Sequence, residues 1–121
     1  MNYNLKGTDV HITDEIRSYV EKKLGGLDKF LSDVSAARAD VELQYSRDEE
    51  KTYRAEVTLH APEFAESLRA EARGAALHEA IDLVEGELFR ELTKRKKKRI
   101  HILRRGAGKI KDILRGFGDR S

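Results

Sequence analysis

The chain has 121 residues with no Cys, no Trp and one Pro, a length that fits one domain with one modest core. Without cysteine there is no disulfide framework, no thiolate metal site and no cysteine nucleophile. Apolar runs of only a few residues exclude a transmembrane helix, and Met1-Asn2-Tyr3-Asn4-Leu5-Lys6 lacks the basic start and apolar stretch of a signal peptide, so a soluble cytoplasmic protein is expected.

The net charge of +2 conceals an asymmetry. Residues 1–93 hold 12 basic and 20 acidic residues, a net −8, whereas residues 94–121 hold 12 basic residues against Asp112 and Asp119, a net +10. An acidic body with a basic end fits a chain whose end addresses a polyanion, since each phosphate neutralised releases counterions.

In chain order, Tyr3, Leu5 and Gly7 alternate with Asn2, Asn4 and Lys6 and read as a short strand. Thr13 is a helix N-cap followed by Asp14 and Glu15, acids placed where the helix dipole favours them. Ile16, Val20, Leu24, Leu27 and Leu31 then form one apolar stripe, with a kink or early fraying expected at Gly25-Gly26. Three alternating segments follow, over Ala37–Tyr45, Thr52–Ala61 and Ser67–Arg73, the first two joined as a hairpin by the polar loop 46–51. Such alternation predicts one buried and one wet sheet face. The wet face mixes both charge signs on neighbouring strands, which suits cross-strand pairing better than ligand binding.

A long helix is predicted from about Ala75 to about Arg99, its stripe being Leu77, Ile81, Val84, Leu88 and Leu92. Beyond Leu92 the stripe gives way to Lys94-Arg95-Lys96-Lys97-Lys98-Arg99, a helical end with no apolar face to pack. The order β-α-β-β-β-α predicts an α+β two-layer sandwich, a four-stranded sheet with two helices on one face. Its order is close to that of the double-stranded-RNA-binding fold. Residues 1–99 form the expected domain and residues 100–121 a basic tail. In that tail Arg104-Arg105-Gly106-Ala107-Gly108 reads as a flexible joint, and Ile110, Ile113, Leu114 and Phe117 as a short amphipathic segment.

Catalytic constellations are missing. His11, His60, His78 and His101 fall on different predicted elements without metal-ligand spacing, no phosphate loop occurs, and the carboxylates occupy exposed positions. Neither an enzyme nor a metal or other cofactor is expected. Cations are better placed. Arg17, Lys22 and Lys23 on the first helix, Lys29 near its end, and Arg90 and the run from Lys94 on the second form one patch if the helices lie side by side. One or two cations satisfy a helix C-terminus; six in a row exceed that need. With Tyr3, Tyr45 and Tyr53 all off the wet face, base readout by stacking is not expected, and contact to the phosphate backbone of folded RNA fits better.

The element order and the second helix together resemble the ribosome hibernation promoting factor family, also called ribosome-associated inhibitor A or sigma-54 modulation proteins. Gly74, Ala80-Ile81-Asp82, Leu88, Leu92, Lys94, Lys96 and Lys98 match the family's second helix in register, and Val10, Thr13-Asp14, Ile16-Arg17 and Tyr19-Val20 match the opening of its first. The resemblance covers residues 1–99. His78 replaces a usual tyrosine, Glu87 and Glu91 replace a usual lysine and glutamine, and Gly25-Gly26 stands where the family has helix formers.

The resemblance implies a non-enzymatic translation inhibitor that occupies the mRNA and tRNA channel of the small ribosomal subunit and preserves idle ribosomes in stress or stationary phase. Carried over by position, Arg17, Lys22, Lys23, Arg90, Lys94, Lys96 and Lys98, with Arg95 and Lys97 of the same run, become the expected contacts to small-subunit rRNA. The implied partners are the small subunit, the whole ribosome and, where ribosomes pair, a ribosome modulation factor. A short-type member, monomeric when free, is the form expected from the 22 residues after Arg99. The competing readings are a general structured-RNA-binding module and an interaction protein acting through its basic tail.

Overall fold

A computed structural model describes residues 1–47, 50 and 52–105, with side chains from residue 98 onward outside the description. The elements are β1 (Asn2–Thr8), α1 (Asp14–Gly25), β2 (Arg38–Tyr45), β3 (Tyr53–His60), β4 (Leu68–Gly74) and α2 (Leu77–Arg105), with two 3-10 turns, Asp28–Phe30 and Val34–Ala36, between α1 and β2. The sheet runs β1-β2-β3-β4 in space. β1 lies parallel to β2, with Leu5 beside Val41, while β2–β3 and β3–β4 are antiparallel. A parallel pair requires a crossover, and α1 supplies it.

The alternating segments fold as their period dictates. Ala39, Val41 and Leu43 of β2, Ala55, Val57 and Leu59 of β3 and Leu68 of β4 are buried, together with Ile16, Val20 and Leu24 of α1 and Ala80, Ile81, Val84 and Leu88 of α2. Both helices therefore cover one sheet face, giving the α+β two-layer arrangement expected from the sequence. No polar or charged residue is buried among those described.

The first helix is interrupted at the expected glycine pair, and its stripe is not helical beyond it. It stops at Gly25, after which the Gly26 and Leu27 amides turn back to Lys23 and Leu24 oxygens at 3.3 and 2.9 Å in tighter i to i−3 bonds. Two adjacent glycines make continuation costly, and the chain closes with a 3-10 turn instead. Leu27 and Leu31 remain buried, but from the turn rather than from a helix, and Lys29 lies in that turn. At the other end the Thr13 hydroxyl accepts the Ile16 amide at 3.1 Å, the expected cap.

Gly74 hands β4 to α2. A Cβ there would lie 2.9 Å from the Ala80 nitrogen, so only glycine permits the close approach. The Ala75 amide donates to Glu79 Oε1 at 3.1 Å, satisfying a donor at the start of α2. The helix runs on through residue 99 to Arg105, so Arg104 and Arg105 are helical. His78 and His101 consequently share α2, correcting the expectation that all four histidines sit on different elements. The chain divides into two units within α2, between Arg90 and Glu91. The amphipathic segment expected at 110–117 and the joint at 106–108 lie outside the described residues.

Candidate nucleic-acid interface

In the unit ending at Arg90, α1 and α2 meet along a polar seam. Glu15, Tyr19 and Lys23, each four residues apart, form the flank of α1 that addresses α2. The Tyr19 hydroxyl donates to Asp82 Oδ1 at 2.5 Å, Lys23 Nζ reaches the same oxygen at 3.3 Å, and His78 Nε2 lies 2.8 Å from Glu15 Oε1. The Tyr19 and His78 rings meet edge-on at 4.4 Å. The hydrogen bond from Tyr19, then the one from Lys23, holds the Asp82 carboxyl below its ordinary value of 3.8. The same contact with Asp82 raises the Lys23 ammonium. Lys23 is thus already engaged as a clamp between helices.

The other predicted cations divide by their partners. Arg90 pairs with Glu87 at 2.6 Å, and in the following unit Arg95 pairs with Glu91 at 3.8 Å. The two glutamates that depart from the family pattern therefore hold neighbouring arginines. Arg17, Lys22, Lys94, Lys96 and Lys97 are exposed, and none has a carboxylate partner among the described residues. The Lys98 side chain lies outside those residues. At about 100° per residue, Arg17 falls roughly 200° round α1 from Tyr19, on the flank turned away from α2. Lys22 lies beside Tyr19 on the outer surface. The cations of α1 therefore do not form one cluster: Arg17 stands apart, Lys22 faces outward and Lys23 is in the seam.

Sequence reasoning missed two aromatics. Phe30 and Phe89 meet edge-on at 5.5 Å, and Lys29 Nζ lies over both rings, 5.6 and 5.4 Å from their centres. Phe89 is 40% exposed. The available signal was an aromatic in α2 off the apolar stripe, one residue before Arg90.

The wet sheet face is occupied by its own charges. Arg54 is only 12% exposed and contacts Glu42, Glu56 and Glu71 at 3.4, 2.7 and 2.9 Å. Arg69 also pairs with Glu56. The bond to Glu71 keeps the Arg54 guanidinium firmly charged, and the Arg54 bond in turn lowers the Glu71 carboxyl. Asp40 bonds His60 at 2.9 Å and is flanked by Arg38, and these partners hold it below its usual range although burial acts the other way. An open groove of about 280 Å³ lies there between Asn4, Lys6, Asp40, Glu42, Glu56 and Thr58. Its lining is of both signs and already paired in part, the cross-strand pairing the alternation predicted. No group of three or more His, Asp or Glu side chains able to hold a metal occurs among the described residues, and none of their helices is long and apolar enough to cross a membrane.

The geometry defines a small α+β domain whose two helices share one sheet face and whose second helix carries exposed cations at Lys94–Lys97. Comparison with known proteins gives that class a family: the chain belongs to the sigma 54 modulation protein / S30EA ribosomal protein family, whose model matches residues 3–100. It is 40% identical over 96 residues to the ribosome hibernation promotion factor of Lactococcus lactis, covering 79% of this chain and 50% of that protein. The Bacillus subtilis protein of the same name is 33% identical over 98 residues, covering 81% and 50%. The chain thus spans about half the length of these relatives. Among solved structures it resembles the N-terminal domain of Thermus thermophilus Protein Y, with a TM-score of 0.67 and 34% identity over 78% of this chain and 98% of that one. A ribosomal subunit interface protein from Coxiella burnetii shares the fold at a TM-score of 0.64 and 18% identity, covering 80% and 99%.

Proposed function

We propose that this chain is a ribosome-associated hibernation factor, acting by binding and catalysing no reaction. The observation that carries the reading is the exposed set Lys94, Lys96 and Lys97 on α2, which has no carboxylate partner among the described residues, in a chain whose relatives are named ribosome hibernation promotion factors. Cations that face no acid among the described residues give up no partner there when they meet phosphate, and the counterions they displace drive the contact. Small-subunit rRNA is the partner, and the mRNA and tRNA channel is the site of occupancy. Lys94, Lys96, Lys97 and Lys98 supply most of the contact. Arg17 and Lys22 contribute from α1, while Lys23, Arg90 and Arg95 exchange or share an internal carboxylate when phosphate arrives.

Sucrose-gradient sedimentation with bacterial ribosomes over a salt series tests the reading. The protein should travel with small subunits and whole ribosomes, leave steeply as salt rises, and be displaced by mRNA with tRNA. Equal affinity for a plain RNA duplex would point instead to a general structured-RNA-binding module. Failure to sediment at low salt would overturn the proposal.

A further inference from the structure

We infer that the surface of α2 around Phe89 receives one unpaired nucleotide of the ribosomal RNA, with its base against the Phe89 ring and its backbone over Gly86. The inference rests on the ribosome-binding reading above and names a contact that the cationic run does not supply.

Two local costs on one side of α2 call for a partner. Phe89 leaves 40% of its surface in water although it directly follows the fully buried Leu88. Gly86, one turn earlier on the same side, weakens the helix relative to alanine. Among the described residues nothing requires that glycine: a Cβ there would meet only Arg90 Nη1, at 3.7 Å. The missing side chain leaves the helix backbone next to an exposed ring with only the mobile Arg90 guanidinium against it, so a backbone that displaces Arg90 can approach closely.

The charges around Gly86 select the occupant. Lys29 lies over Phe30 and Phe89, and Arg90, whose side chain is 68% exposed, stands beside Gly86. A ring with one cation over it and a second cation beside the neighbouring glycine suits a nucleotide, which brings a π face and a phosphate together. Of the acids nearby, Glu85, one turn before Phe89, acts on Lys23 through its charge. Asp82 is held by Tyr19 and Lys23, and Glu87 holds Arg90 through a single exposed pair that a phosphate can replace. When the base takes the Phe89 face, the flexible Lys29 ammonium moves to the accompanying phosphate. The Phe30 edge stays beneath as support.

The test uses the full chain with isolated small subunits, measuring affinity by sedimentation at fixed salt and the reactivity of unpaired rRNA bases towards a base-modifying reagent. Phe89→Leu keeps the apolar bulk and removes the π face. It should weaken binding roughly tenfold, leave the salt dependence unchanged and restore the reactivity of a base that the native chain protects. Phe89→Trp should retain both affinity and protection. Gly86→Ala should raise the thermal midpoint of the free protein yet weaken binding, opposite signs that a purely structural glycine would not give.

Native-level binding and protection by Phe89→Leu, or by Gly86→Ala, would overturn the inference. So would weaker binding by Phe89→Leu with no change in base reactivity and the disappearance of a crosslink to a ribosomal protein, which would make the partner a protein. Sedimentation of the unmodified chain reads the parent proposal separately. If that binding is intact, failure of the variants removes this inference alone.

Discussion

The two stretches of α2 are built on different terms. Up to Arg90 the helix buries Leu77, Ala80, Ile81, Val84 and Leu88 and carries Glu79, Asp82, Glu85 and Glu87 against one arginine. From Glu91 to Arg105 it carries eight basic residues and a single acid. Leu92 is buried there, while Lys94, Arg95, Lys96 and Lys97 are exposed. Where a stripe must pack and a seam must close, each outward charge is useful as a partner for another charge. Where the stripe has ended, like charges accumulate, and an anion from outside relieves their mutual repulsion.

Substitutions break that contrast in graded ways. Leu88→Ala removes a fully buried side chain from the packed stretch and should lower stability by about 3 kcal/mol in a denaturant melt. Arg54→Ala strips the sheet face of the cation shared by Glu42, Glu56 and Glu71, and should cost about 2 kcal/mol in the same melt. Both should leave the salt dependence of ribosome binding unchanged in the folded fraction.

Converting Glu87 and Glu91 together to glutamine removes the carboxylates paired with Arg90 and Arg95 and makes α2 more cationic on both sides of the boundary. Affinity for small subunits should rise by about tenfold near 0.1 M salt, measured by sedimentation. The smallest effect is expected at the seam. Because the Asp82 carboxyl is lowered in the folded protein, its contribution is complete above the ordinary value of 3.8 and is lost as pH falls through the lowered one. Asp82→Asn should therefore reduce the thermal midpoint modestly at neutral pH. The gap from the native chain should close in acid below that value.

Much of this contrast was legible in the sequence because it is written in period and composition. Alternation fixed the buried faces of β2 and β3, the 3-4 spacing fixed the stripe of α2, and Thr13 marked the start of α1. Leu27 and Leu31 misled because a 3-10 turn can keep the burial of a helical stripe without being helix, and only the glycine pair distinguished the two. Charge sign was readable at every candidate contact, but charge pairing was not. That Lys23 serves Asp82, 59 residues away, depends on how two helices sit together, and no local pattern states it. Phe89 was overlooked for the same reason, since its neighbours Phe30 and Lys29 come from a turn that the fold, not the sequence order, brings beside α2.

The most direct test is the salt slope of small-subunit binding for the native chain and for a variant with Lys94, Lys96, Lys97 and Lys98 changed to glutamine. If these cations meet rRNA phosphates, the slope of log affinity against log salt should fall by about 3, at roughly 0.7–0.9 for each phosphate left unneutralised. A variant that folds and binds with the native slope would contradict the account.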